Sequence, residues 1–253
     1  MSRATARKQG REIAASLGLD ATRSPVPGLD DLMAEVVYAG VWGRANLAPA
    51  ERAICTLAVL SSLQRLASLA AMVETALRIG LTPRNILEVF VQAGLYAGFV
   101  TTDASVAVAQ ELFQARGLSL GSEPQRDDSI EGLDRNGREV MALLHGERAQ
   151  EGYAAPGNDV TGALYPMAIR YGYGDLWSRP GLNHRQRMLC ALAAFTALGL
   201  EGQLKKFARA ARNVGLRREE VIEAVIQTAP YGGFPRALNG LAIVGEVLAG
   251  ASL

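Results

Sequence analysis

Two cysteines and two histidines are all that this chain of 253 residues offers for thiol, imidazole or soft-metal chemistry. Neither Cys55 nor Cys190 lies in a Cys-x-x-Cys, so a thioredoxin-type redox pair, a thiolate zinc cluster and a disulfide framework are excluded. Met188, Leu189, Ala191 and Leu192 surround Cys190, and both thiols read as small apolar residues of a core helix. His145 and His184 have no second His or Cys within helical reach, so no metal site is expected. His145 closes an amphipathic stretch before Gly146 and reads as a C-terminal cap. His184 opens a helix, where the dipole disfavours an imidazolium but a neutral ring can cap. No Gly-x-Gly-x-x-Gly follows a strand, and Gly232-Gly233-Phe234-Pro235 is too generic for a phosphate loop. No flavin, nicotinamide or other cofactor is expected.

Charge narrows the partners. Lys and Arg number 26 against 25 Asp and Glu, a formal charge of +1, which lacks the basic excess that binding a phosphate backbone requires, so no nucleic-acid partner is expected. The Leu/Ala-rich helices carry no basic stripe, so no membrane partner is expected either. Met1 to Leu19 is broken by Arg3, Arg7, Lys8, Arg11 and Glu12, unlike a signal sequence or a membrane span, and the protein reads as cytoplasmic. An apolar content of 49% suffices for a substantial core.

The elements that must position any site come in two copies. A shift of 135 positions places Trp42 on Trp177, Leu47 on Leu182, Arg52 on Arg187, Cys55 on Cys190, Gly80 on Gly215, Gln92 on Gln227, Tyr96 on Tyr231 and Glu111 on Glu246 without a gap. From Leu47 to Phe113 about 17 of roughly 67 pairs are identical. Gly10-Arg11-Glu12 matches Gly137-Arg138-Glu139 at a shift of 127, so the second copy has gained about eight residues, placed within Glu151 to Tyr165, where Gly, Pro and Asn cluster. Apolar residues recur at three- and four-residue steps, as in Ile54, Leu57 and Leu60 or Ile86, Val89, Phe90 and Ala93, and strict alternation is missing; the fold class is all-α. Gly80 ends one helix, and Thr82 caps the next with Pro83 in its first turn. The polar 119–129 segment is the expected link between a first unit, 1–118, and a second, 130–253, packed as a pseudo-symmetric pair.

The stretch Trp177-Ser-Arg-Pro-Gly-Leu182, then Arg187, then Gln227-Thr-Ala-Pro-Tyr231-Gly-Gly-Phe-Pro-Arg-Ala-Leu-Asn239 resembles the gamma-carboxymuconolactone decarboxylase family. Trp42-Gly-Arg44 and Tyr96-Ala-Gly-Phe99 are the looser equivalents in copy one. The resemblance implies an AhpD-like helical fold, a founding activity of cofactor-independent decarboxylation, and single-domain relatives that form rings of dimers; fused copies then predict a homotrimer. The peroxidase branch of that fold uses a Cys-x-x-Cys pair missing here. The decarboxylase branch carries a Glu and a His four residues apart on one helix face. In this chain those positions fall on Gln203 and Phe207 in copy two, and on Ser68 and Met72 in copy one.

Within the segments that line the family's pocket, three residues are candidate catalytic groups. Asp175 is a general base or a solvated helix-terminal carboxylate. Arg187, like Arg52, either clamps a carboxylate or forms a structural ion pair with Glu88 or Glu223. Tyr231, like Tyr96, either donates to a developing enolate oxygen or is a buried aromatic bonded to backbone. Trp177, Gln203, Phe207 and His184 are candidate substrate-binding residues, and copy two, which keeps Asp175, Arg179 and Pro180, is expected to hold the more specific site. Gly98 and Gly233 are expected to permit close backbone approach. The leading expectation is a cofactor-independent lyase or isomerase of a small oxygenated carboxylic acid, lactone or polyketide-like ring. The alternative is a non-catalytic small-molecule binder or structural partner. Convergence of Asp175, Arg187 and Tyr231 on a cavity favours the first, and a filled apolar space favours the second.

Overall fold

The computed structural model describes residues 2–19, 24–122, 126, 129–146, 159–162 and 164–250. The first copy runs α1 (Arg3–Ser16), α2 (Leu29–Met33), a π-helical stretch (Ala34–Trp42), α3 (Pro49–Ser62), α4 (Leu66–Arg78), α5 (Pro83–Ala97) and α6 (Phe99–Ala115). The second runs α7 (Ile130–His145), α8 (Tyr165–Met167), a π-helical stretch (Ala168–Asp175), a 3₁₀ turn (Leu176–Ser178), α9 (His184–Leu198), α10 (Glu201–Ala210), a 3₁₀ turn (Ala211–Val214), α11 (Arg218–Gly232) and α12 (Phe234–Gly250). No strand occurs among the described residues, so the all-α fold and its duplication stand. Residues 151–158 and 163 of the expected insertion, and 123–125 and 127–128 of the expected link, lie outside the described residues.

The centre of the molecule is the pair α3 and α9. Arg52 to Ser62 and Arg187 to Ala197 are buried without a break, which requires helices apolar all round rather than on one stripe. Small side chains let them approach: Ala53 and Ala58 on α3, and Ala191, Ala193, Ala194 and Ala197 on α9, are fully buried. The copies interlock across this pair, because α5 of the first packs on α9 of the second and α11 of the second on α3 of the first. Cys55 and Cys190 sit in these contacts and give their S–H to the Leu189 and Val89 carbonyls, at 3.8 and 3.5 Å. Burial pushes the Cys55 thiol up to about 12, and Cys190 higher still, so neither is a thiolate nucleophile.

Each copy begins with a helix laid against its π-helical stretch. A Cβ at Gly10 would stand 1.9 Å from the Ala34 carbonyl oxygen, and one at Gly137 2.5 Å from that of Ile169. The matched glycines thus mark a backbone-to-backbone contact in each copy. Gly98 and Gly233 act differently from expectation: added Cβ atoms would meet open space or at most Pro235, but φ is 100° and 101°. They are required because the chain turns from the tyrosine-bearing helix into the next through a left-handed conformation. Thr82 caps α5 as expected, through a reciprocal box with Asn85.

Candidate active site

Arg52 and Arg187 occupy the first turns of α3 and α9, and both are buried. Arg187 donates from Nη2 to Glu88 Oε2 (3.0 Å) and to the Arg179 carbonyl (2.7 Å), and from Nη1 to Gln92 Oε1 (2.9 Å). Arg52 repeats the pattern with Glu223 (2.9 Å), the Arg44 carbonyl (2.8 Å) and Gln227 (2.9 Å). Arg179 and Arg44 complete each carboxylate, from Nε at 3.0 and 2.9 Å. Of the two alternatives for Arg187, the geometry is that of an ion pair across the copies: both terminal nitrogens are occupied, and Nε alone is buried without a partner. Removing one partner of such a pair costs about 3–5 kcal/mol, since it strands the other charge away from water.

The glutamines carry the network inward. Gln92 Nε2 donates to the Tyr96 hydroxyl at 2.8 Å, and Trp177 Nε1 donates to the same oxygen at 3.2 Å. In the matching place Trp42 Nε1 donates to the Tyr231 hydroxyl at 2.8 Å, while Gln227 Nε2 donates to Thr56 Oγ1 at 3.1 Å. Each site therefore takes its Trp and Arg from one copy and its Glu, Gln and Tyr from the other. This corrects the grouping of Tyr231 with Trp177 and Arg187: Tyr231 belongs with Trp42 and Arg52, and Tyr96 stands in its place beside Trp177. Sequence spacing gave no sign of this, because Trp177 and Tyr96 meet only when α5 packs on the second copy.

Around Phe207 the second-copy site is aromatic. Ring centroids lie 5.0 Å away at Phe195, 5.2 Å at His145, 5.9 Å at Trp177 and 6.5 Å at Tyr96. Tyr173 stacks on Trp177 at 6.3 Å, and the His184 ring lies tilted to Trp177 at 6.3 Å. Burial, with Arg187 adding to it, lowers His184, so the ring is neutral at pH 7; the helix cap is supplied by Asn183 with Gln186, not by His184. His145 is also no cap. It is buried 3.4 Å from the Tyr173 hydroxyl, and burial, assisted by Lys206, lowers it to about 4. Gln203 is half-buried one turn before Phe207 on α10. Asp175 accepts from Arg126 at 2.7 Å, while Arg187 and Tyr231 belong to different networks, so the three do not form one group. Among the described residues no three His, Cys, Asp or Glu side chains gather as a metal site. Beside the aromatic group, Phe195, Thr196, Leu204, Arg236 and Asn239 border a small open cleft.

The copies, the paired cross-repeat arginines and the Trp–Tyr contacts define a duplicated AhpD-like helical protein. The chain belongs to the carboxymuconolactone decarboxylase family, whose model matches residues 27–111 and 163–246. It is 31% identical over 109 residues to the 4-carboxymuconolactone decarboxylase of Acinetobacter baylyi, covering 43% of this chain and 78% of that protein. It is 24% identical over 129 residues to the nitrosuccinic acid decarboxylase of Metarhizium robertsii, covering 51% and 90%. A crystal structure from Burkholderia xenovorans, described as a gamma-carboxymuconolactone decarboxylase subunit, superposes over 99% of both chains with a TM-score of 0.56 at 20% identity. No helix among the described residues is long and apolar enough to cross a membrane.

Proposed function

We propose that the chain is a cofactor-independent lyase that removes carbon dioxide from a small oxygenated carboxylic acid or lactone. Both relatives named above are decarboxylases of small acids. The observation that carries the reading is the intact Glu–Arg–Gln–Tyr–Trp chain at the second-copy site, which holds a phenol in fixed geometry among aromatic rings. In the reaction the C–C bond to the carboxylate breaks, carbon dioxide leaves, and the electron pair moves onto an adjacent acceptor oxygen. Water returns a proton to carbon. An ionised carboxylate needs no base to depart, so Gln203 and Phe207 at the positions of the family's acid/base pair do not stop the step. An isomerase must instead remove a C–H proton, and Asp175, the carboxylate expected for it, is spent on Arg126. Fixed donors in a dry site stabilise the developing charge more than water does.

The packing of Phe195, Phe207 and Trp177 around the phenol favours a second reading, a non-catalytic binder of a flat apolar molecule. Incubation with 4-carboxymuconolactone and with nitrosuccinic acid, followed by NMR and carbon dioxide release, separates the two. The lyase reading expects turnover of at least one acid without added metal or cofactor. Binding by calorimetry with no carbon dioxide from either would favour the binder.

A further inference from the structure

The lead helices α1 and α7 meet their π-helical stretches through the same backbone contact, so shape does not tell them apart. Gly10 stands against the Ala34 carbonyl and Gly137 against that of Ile169, and Ala34 matches Ile169 by the shift of 135. A glycine facing a carbonyl carries no side chain that the other stretch would refuse. Charge does differ.

In the first copy the helix is the cation. Arg7 Nε donates to Glu35 at 2.5 Å, Arg3 Nε donates to the same carboxylate at 2.9 Å, and Arg7 and Arg11 both reach Asp31. In the second copy the helix is the anion: Asp134 on α7 accepts from Arg170 Nε and Nη2 at 2.8 and 2.9 Å. Arg7 matches Asp134 by the shift of 127, and Glu35 matches Arg170 by the shift of 135. One ion pair thus occupies the same place in both copies with its ends reversed. Ile130 and Pro166 stand where the first copy has Arg3 and Asp31, and Arg138 alone keeps the sign of its counterpart, Arg11.

Exchanged helices would lose these pairs and gain repulsion. On the second stretch α1 would set Arg3 and Arg7 against Arg170, with Pro166 where Arg11 needs an acid. On the first stretch α7 would set Asp134 against Glu35, and only Arg138 would find a partner, Asp31. Exposed ion pairs add little stability each, but a like-charge contact in place of an attractive one separates right from wrong by the sum of the two. We propose that the reversed polarity addresses each lead helix to its own stretch. The first stretch takes a basic helix face and the second an acidic one, so α1 and α7 do not trade places within a chain or between two copies of it. Exchange of like elements between chains is otherwise a low-cost misassembly, since the same backbone contacts re-form.

Three chains separate addressing from plain stability. The wild type has opposite polarities in its two copies. Asp134→Arg with Arg170→Glu gives both copies a basic helix on an acidic stretch. Adding Arg3→Glu, Arg7→Glu, Arg11→Glu, Asp31→Arg and Glu35→Arg makes the polarities opposite again. The matched pair stays attractive in all three, so melting temperatures should agree within about 3 °C. After unfolding in urea and refolding, the like-polarity chain should return about half the wild-type yield of native mass by size exclusion with light scattering, and the twice-reversed chain should return the full yield. Arg7→Lys in the like-polarity chain lets carbodiimide join residue 7 to an adjacent carboxylate, and mass spectrometry should find it linked to position 170 as well as to Glu35. A yield equal to the wild type's, or a low yield that the second reversal does not restore, overturns the proposal, as does linkage to Glu35 and Asp31 alone.

Discussion

His145 shows how a single buried side chain couples the second-copy site to acidity. Its ring packs edge-on against Phe207 and Tyr173, and burial lowers it to about 4 from an ordinary 6.5. The folded state thus resists a proton that the unfolded chain accepts, so its contribution is full above pH 6.5 and is lost as pH falls through 4. The loss from this group is up to about 3 kcal/mol. Urea denaturation at a series of pH values should show that decline, and His145→Gln should flatten it between pH 6.5 and 4. An unchanged slope in the variant would mean that other groups produce it. The first copy has no equivalent, because Gly18 occupies the matching place by the shift of 127.

At the scale of elements, the glycine contacts between α1 or α7 and the π-helical stretches set the angle at which each tryptophan reaches the centre. A methyl at residue 137 meets the Ile169 carbonyl oxygen at 2.5 Å, and backbone cannot swing aside. Gly137→Ala is expected to lose about 1–3 kcal/mol, whereas Gly202→Ala, where a Cβ on α10 meets nothing, should be neutral or gain about 0.5 kcal/mol. Thermal melts of the two variants check both signs. Much of this level was legible in the sequence: three- and four-residue periodicity gave the helices, the shift of 135 gave their duplication, and Gly10-Arg11-Glu12 against Gly137-Arg138-Glu139 flagged the contact. The π geometry was not, since it uses the same apolar residues as an α-helix. Nor was the exchange of Tyr96 for Tyr231, because a repeat alignment matches residues by position and is silent on which copy supplies each side of a packed interface.

For the whole molecule, the apolar residues left outside the core repeat as well. Leu29 and Leu164, Leu32 and Met167, and Phe99 and Phe234 occupy matched positions, and all are at least 36% exposed. Two copies that share only a quarter of their residues have kept apolar side chains at the same surface positions, as a face covered by another chain would require. We propose that three chains associate in a closed ring through these faces, the fused copies standing for the dimers of single-domain relatives. Light scattering over a range of concentrations should return the mass of three chains; a monomer at every concentration would rule the ring out. Replacing Phe99 and Phe234 with serine should shift the distribution toward single chains.

The crosswise supply of residues, each tryptophan from one copy and each tyrosine from the other, also bears on how such a molecule can change over generations. In a dimer of identical chains every inherited substitution arrives at both centres at once, so a change that improves one spoils or improves its twin equally. Here Thr56 and Ala191 are separate codons. One centre keeps a threonine hydroxyl that receives the Gln227 amide while the other carries a methyl in that place, an independence of the two centres that joining the copies end to end makes heritable.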